Sequence, residues 1–202
     1  LSLHDALPIS IIITISQALS GTYNACRLVC EDFEGLETFV FDSKTLTMAE
    51  GAMVLNAANM IKENKSFEEI VEALPKLRDK IDLFFTIDTL EYLKKGGRIG
   101  KASAILGGIF QIKPILTVEN GETTVFEKVR TKKKAVDSIL NKVLEDCNNK
   151  GIGDVIVHHI NCEDEGMELA KKLEEKLNIH VGIQSIGPVI GVHVGPGAIG
   201  VT

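Results

Sequence analysis

The chain reads as an α/β protein of two domains, with mainly parallel sheets, crossover helices and one β-hairpin. Three observations predict this. Continuous β-branched runs such as Ile11–Ser16 (IIITIS) suit strands buried on both faces of a sheet. Capped helical stretches separate these runs, and strands joined by crossover helices make a parallel sheet. Asn120-Gly121 sits between two short alternating runs and is a strong hairpin signal.

Taken in order, Ile11–Ser16 is a strand, and a short loop leads to a helix over Thr22–Phe33 with Ser20 before it as a capping residue. Thr38–Phe41 is a second strand, and a long helix over Met48–Glu63 opens after Thr47. Ser66-x-x-Glu69 forms a capping box for a helix over Phe67–Lys80. Leu83–Ile87 returns to strand, and Asp88-x-x-Glu91 reads as a second capping box for Thr89–Lys95, which Gly96 and Gly97 end. Ala102–Phe110 looks helical, and Ile115–Val118 and Thr123–Lys128 flank the hairpin turn. Lys132–Asn148, Val155–His159, Glu163–Leu177 and Val181–Ile186 complete a further helix and strand alternation. A break near Lys80–Asp82 gives a first domain over residues 10–80 and a second over 81–202.

Leu1–Ile9 (LSLHDALPI) lacks the charged start of a signal peptide. It equals, codon for codon, the translation of a common short-read sequencing adapter. Genuine sequence is therefore expected from Ser10, with the true N-terminus missing and no function for His4.

Composition narrows the function classes. With 202 residues, 45% of them hydrophobic, and mean hydropathy +0.14, the chain can bury one large core or two modest ones. A net charge of −6 supplies no field for nucleic acid or an anionic membrane. No apolar run reaches the ~20 residues of a membrane span. Cys26, Cys30, Cys147 and Cys162 form neither a CxxC pair nor a secreted disulfide framework, which suits a reducing cytoplasm.

Several segments could carry chemistry. Ser16–Thr22 (SQALSGT) lies between a strand end and a helix start, where unpaired N–H groups attract carboxylate or phosphate. It is also readable as a plain helix cap. Asp88–Lys101 (DTLEYLKKGGRIGK) resembles a phosphate loop only superficially, since GxxxxGK[ST] is absent and a helix precedes the glycines. Its Arg98 and Lys101 either meet an anion or partner, or are solvated charges. Lys128–Lys134 (KVRTKKK) puts cations at a helix start against the macrodipole, which suits an acidic partner as well as a solvated charge run. His158-His159 ends a strand without the spacing of a metal site, and Asp42-Ser43-Lys44 either lines a cleft or forms a turn. Gly187–Gly200 (GPVIGVHVGPGAIG) holds His193 among five glycines and two prolines. It reads as a rigid segment, either an ordinary turn or a ligand-facing one.

SGTY at Ser20–Tyr23, DTLEYLKKGGRIGKA at Asp88–Ala102, the KPILTVENGE hairpin, EKVRTKKKA and GPVIGVHVGPGAIG together resemble the DegV family, in order and spacing from about Ile11 to the C-terminus. The resemblance implies a two-domain α/β protein that holds a long-chain fatty acid as its only ligand, with no cofactor or metal. In many Gram-positive bacteria such proteins are the acyl-presenting subunit of fatty acid kinase. A separate ATP-dependent kinase subunit phosphorylates the bound carboxylate, giving acyl phosphate for phospholipid synthesis. The resemblance carries carboxylate binding to Ser20, with Gly21 and Thr22 shaping its loop, and places His193 against that carboxylate. Arg98 and Arg130 match positions implied in docking the kinase. Val192 and Val194 flank His193 where the family often has threonine, and the family's upstream TSQPS-type loop is absent. Two other readings stay open: a serine-dependent esterase or acyltransferase with Ser20 as nucleophile and His193 as base, and a module binding a phosphorylated metabolite.

Overall fold

The computed structural model describes residues 9–32, 37–106 and 112–202. The adapter reading apart from Ile9, the helix end at Phe33 and residues 107–110 of the expected Ala102–Phe110 helix lie outside the described residues. The chain divides into two compact units, one ending at Ile81 and the other beginning at Asp82.

In the first unit, β1 (Ile9–Thr14) and β2 (Glu37–Asp42) pair in parallel, from Ile9 opposite Glu37 to Thr14 opposite Asp42. They are joined through α1 (Thr22–Glu31) and followed by α2 (Met48–Lys62) and α3 (Phe67–Arg78). The apolar residues of α3 recur at Phe67, Ile70, Leu74 and Leu77, one face of a helix. Ile70 and Leu74 bury with Phe41, Met53 and Ala57, and Ile11, Ile13 and Phe39 pack against them. The capping box forms as expected: Glu69 N–H donates to the Ser66 hydroxyl at 3.2 Å, and Ser66 N–H donates to the Glu69 carboxylate at 2.8 Å.

The second unit holds β3 (Phe84–Thr86), α4 (Glu91–Lys95), a 3-10 turn over Gly100–Ile105, β4 (Lys113–Glu119), β5 (Glu122–Val129) and α5 (Lys132–Lys150). Then come β6 (Val155–His159), α6 (Glu163–Leu177), β7 (Val181–Ser185), α7 (Pro188–Val194) and β8 (Ile199–Val201). Its six-stranded sheet has the order β5-β4-β3-β8-β6-β7. The α/β class and the expected β4–β5 hairpin hold, but the expectation of mainly parallel pairing fails among the described residues of this sheet. Only β6–β7 is parallel, while β3–β4, β3–β8, β4–β5 and β6–β8 are antiparallel. The reason is β8, which inserts between β3 and β6 and runs against both. The segment from β3 to β4 contains α4, yet it returns the chain beside β3 in the opposite direction.

Alternation sends Phe84, Ile115, Val157, Ile199 and Val201 to one face, where they form a core with Ile139, Leu169 and Leu173. These last three come from α5 and α6. The opposite face buries Leu116 with Ile87, Leu93, Ala102, Val194 and Ala198, from α4, the 3-10 turn, α7 and the flanking loops. Two smaller expectations are also corrected. Gly187–Gly200 is not a rigid turn throughout but a helix, a tight loop and a central strand. Asp88 does not cap α4: Leu90 stands at the N-cap with no side-chain hydrogen bond, and the Asp88 carboxylate instead meets Lys113 Nζ at 3.1 Å.

Candidate functional site

In the first unit, a polar loop follows β1 at the carboxyl end of the parallel pair. Ser16 is fully buried. Its N–H donates to Thr45 O at 2.9 Å, its carbonyl accepts from Leu19 and Ser20 N–H at 3.0 Å each, and its hydroxyl accepts from Ala18 N–H at 3.2 Å. The neighbouring strand end braces the same loop, since Asp42 Oδ1 accepts from Gln17 N–H at 3.2 Å and from Lys44 N–H at 2.9 Å. Asp42-Ser43-Lys44 is thus a turn that supports the Ser16 loop, and buried Ser43 donates its hydroxyl to Thr45 O at 3.3 Å.

On this support the Ser20 and Thr22 hydroxyls lie 2.8 Å apart, and Thr22 N–H donates to Ser20 Oγ at 3.3 Å. Gly21, rather than Ser20, occupies the N-cap position of α1, with φ −71°. A side chain at Gly21 would meet nothing within 4 Å, so neither backbone conformation nor packing within the protein requires glycine there. The loop therefore offers two adjacent hydroxyls and the first-turn N–H groups of a helix, a set suited to a carboxylate or phosphate. Sequence reasoning placed Ser16 and Ser43 in candidate segments without their role as buried supports, and it missed Thr45, which has no motif of its own. It also missed the backbone of Thr47, a β-branched residue at φ 63° whose hydroxyl is buried without a partner. Such a conformation is an outlier for threonine.

In the second unit, the segment Asp88–Gly96 packs against the chain from His193 to Gly197. A Cβ on Gly96 would overlap the His193 ring, one on Gly195 would lie 2.6 Å from Tyr92 Cε2, and one on Gly197 would strike the Asp88 carboxylate. His193 belongs to the last turn of α7, and its Nδ1 is buried with no hydrogen-bond partner. Arg98 is exposed and donates from Nη1 to Gly96 O at 2.7 Å, so His193 and Arg98 share contact with one glycine. The Arg98 carbonyl accepts the Thr123 hydroxyl at 3.0 Å. Arg130 is also exposed. It stands between β5 and Thr131, whose hydroxyl caps α5 by accepting from Lys134 N–H at 3.2 Å. Lys132, in the cation run at the start of α5, pairs with Glu165 at 2.9 Å.

Ser20 and Thr22 are thus brought together in the first unit, and His193 and Arg98 in the second. His158 and His159 do not form a ligand pair, because neighbours on one strand face opposite sides of the sheet. No group of three or more His, Cys, Asp or Glu suited to a metal occurs among the described residues. Nor is any described helix long and apolar enough to cross a membrane. Burial pushes the His158 pKa down to about 4, and His159 adds to the effect.

These features define an α/β protein with a hydroxyl-bearing loop at a parallel strand end in one unit and a histidine seated on a glycine in the other. The chain belongs to the DegV family: the model of the family described as "Uncharacterised protein, DegV family" matches residues 10–202. A DegV domain-containing protein of Clostridium acetobutylicum is 45% identical over 193 residues, covering 94% of this chain and 68% of the relative. A fatty acid binding DegV family protein from Streptococcus agalactiae superimposes with TM-score 0.89 at 31% identity, over 96% of this chain and 69% of that one. DegV from Bacillus subtilis, described as a fatty acid binding protein, gives TM-score 0.85 at 33% identity, over 96% and 70%.

Proposed function

We propose that this chain binds a long-chain fatty acid and presents its carboxylate to a separate ATP-dependent kinase subunit, which converts it to acyl phosphate for phospholipid synthesis in the cytoplasm. The observation that carries this reading is the Ser20–Thr22 hydroxyl pair at 2.8 Å, in a chain whose structural relatives are described as fatty acid binding. In this reading residues 10–80 belong to the first DegV domain and 81–202 to the second. Ser20, Gly21 and Thr22 hold the carboxylate, His193 orients it, and Arg98 and Arg130 dock the kinase. Phosphoryl transfer is assigned to the partner, as the family resemblance implies.

The energetics divide the labour. Burying ~15 methylenes at ~0.8 kcal/mol each contributes about 12 kcal/mol gross, set against association costs of ~4–15 kcal/mol. One carboxylate hydrogen bond contributes a net ~1–3 kcal/mol, so the apolar tail sets affinity and the polar groups set orientation. Ser20→Ala or His193→Ala should therefore cut acyl phosphate formation by the partner kinase ~10²-fold, the loss typical of one misplaced donor. Fatty acid affinity should fall by about 5–150-fold, the loss of one such hydrogen bond, and the division of labour requires this to be smaller than the loss of turnover. Native mass spectrometry of the purified chain reads occupancy, and a coupled phosphorylation assay reads turnover; equal losses in both would refute the division. An empty chain that hydrolyses esters would favour the esterase reading. That reading draws no support from the Ser20 hydroxyl, whose hydrogen bonds go to Thr22 rather than to a base.

A further inference from the structure

We propose that Gly96 is a positioning residue, the seat that fixes the His193 ring beside α4 and leaves Nε2 as the nitrogen presented to a ligand. Only the identity of that ligand rests on the fatty acid reading. Gly96 and Gly97 stand together after α4, but they are glycine for different reasons. Gly97 has φ +71°, the left-handed conformation in which a helix ends and glycine is favoured. Gly96 has φ −75° and ψ −9°, which any L-residue adopts and in which alanine would ordinarily be preferred.

What excludes a side chain at Gly96 is His193. A Cβ there would overlap Nδ1, lie 3.0 Å from Cε1 and 3.1 Å from Tyr92 O. The backbone groups around the seat are already engaged: Gly96 N–H donates to Tyr92 O at 2.8 Å, and Gly96 O accepts from Arg98. The ring therefore meets Gly96 by shape alone, and Nδ1 is left buried without a partner. Nδ1 has no partner in either tautomer, whereas Nε2 is not among the buried unpartnered atoms, so a proton on Nε2 puts the ring's donor where it can be satisfied and leaves only a lone pair in the seat. An Nε2–H donor is the form that can hydrogen-bond a carboxylate.

The seat is one of three interlocking contacts. Asp88, Tyr92 and Gly96 recur every fourth residue, leading into and through α4, and they meet Gly197, Gly195 and His193, which recur every second residue in the reverse direction. Two motifs about a hundred residues apart in the chain are thus halves of one clamp, and the clamp sets the rotation of the ring.

The test uses the ligand-free chain carrying Gly96→Ala, His193→Ala or both, followed by urea unfolding and by ring ¹⁵N shifts of His193. Gly96→Ala alone should lower the unfolding midpoint. In the His193→Ala background the same change should be neutral or raise it, because alanine suits the helix once the ring is gone. The ring of the unmodified chain should show the Nε2–H tautomer, and Gly96→Ala should shift its ¹⁵N resonances. Equal destabilisation in both backgrounds, or an unmoved ring spectrum, overturns the proposal. If Gly96→Ala fails to fold alone, folding of the double variant supports the seat, and failure of both overturns it. Added oleate should move the ring resonances of the unmodified chain more than those of Gly96→Ala. A ring that ignores oleate while the stability coupling persists upholds the seat and counts against the fatty acid reading.

Discussion

His158 shows how far one residue can be read from its neighbours. Its register partner is Gly200, so its ring shares a sheet face with Phe85 and Leu116, and neither ring nitrogen has a hydrogen-bond partner. Burial holds its pKa at about 4, whereas the ring of an unfolded chain titrates near 6.5. As pH falls below 6.5 the unfolded chain takes up a proton that the folded chain refuses, so stability is lost between pH 6.5 and 4 and levels off below. The loss from this residue amounts to about 2 kcal/mol by pH 5 and about 3 kcal/mol by pH 4. Urea unfolding at pH 7.5 and pH 5 measures it, and His158→Leu should remove that part of the difference. An unchanged pH dependence in the variant would refute the assignment. Sequence alone marked His158-His159 only as a weak metal pair, because burial and strand face are properties of the sheet and not of the dipeptide.

Elements with a strong local signal were legible, and elements held only by their surroundings were not. The ranges of β6 and α6 agree with expectation, because β-branched runs and an acidic first turn declare themselves. The hairpin turned at Asn120 and Gly121, both at positive φ, is equally local. By contrast β8, the strand between β3 and β6, reads as a glycine-rich loop: it has three residues, and Gly200 is the middle one. Glycine is a poor strand former in isolation, but no other residue fits there. A Cβ at Gly200 would lie 2.6 Å from Phe85 Cβ and 2.8 Å from Phe84 O, a neighbouring strand that cannot give way. Gly200→Ala should therefore cost about 2–3 kcal/mol, the upper range for overpacking a core. A urea midpoint equal to that of the unmodified chain would show that β3 and β8 can separate at little cost. The same logic limited the candidate site. Ser20, Gly21 and Thr22 were found because they open a helix, while the bracing by Ser16, Ser43 and Thr45 depends on contacts between two strand ends that the sequence keeps apart.

At the scale of the whole molecule, the direction of the strands was the least legible feature. Helices between strands imply parallel neighbours only when consecutive strands lie side by side, and β8 breaks that condition by entering the middle of the sheet from the end of the chain. The consequence is that the second unit is closed by β8, which joins its two halves. β8 carries Ile199 and Val201 into the α5/α6 core, and Ala198 just before it joins the opposite core. Thr202 continues the seam, exchanging N–H and carbonyl hydrogen bonds with Ile156 at 3.0 and 2.8 Å. Each face of this sheet therefore has helices and a buried cluster of its own, the arrangement of an independently stable layered domain. The β1–β2 pair of the first unit is two-stranded among the described residues, a sheet size that is marginal without helices packed on it. Expressed alone, residues 82–202 should give mixed helix and strand circular dichroism and a single cooperative urea transition. Deleting 199–202 from that fragment should abolish the transition, because β3 and β6 then lose their shared partner. A fragment that unfolds cooperatively without those four residues would mean that β8 decorates the sheet instead of closing it.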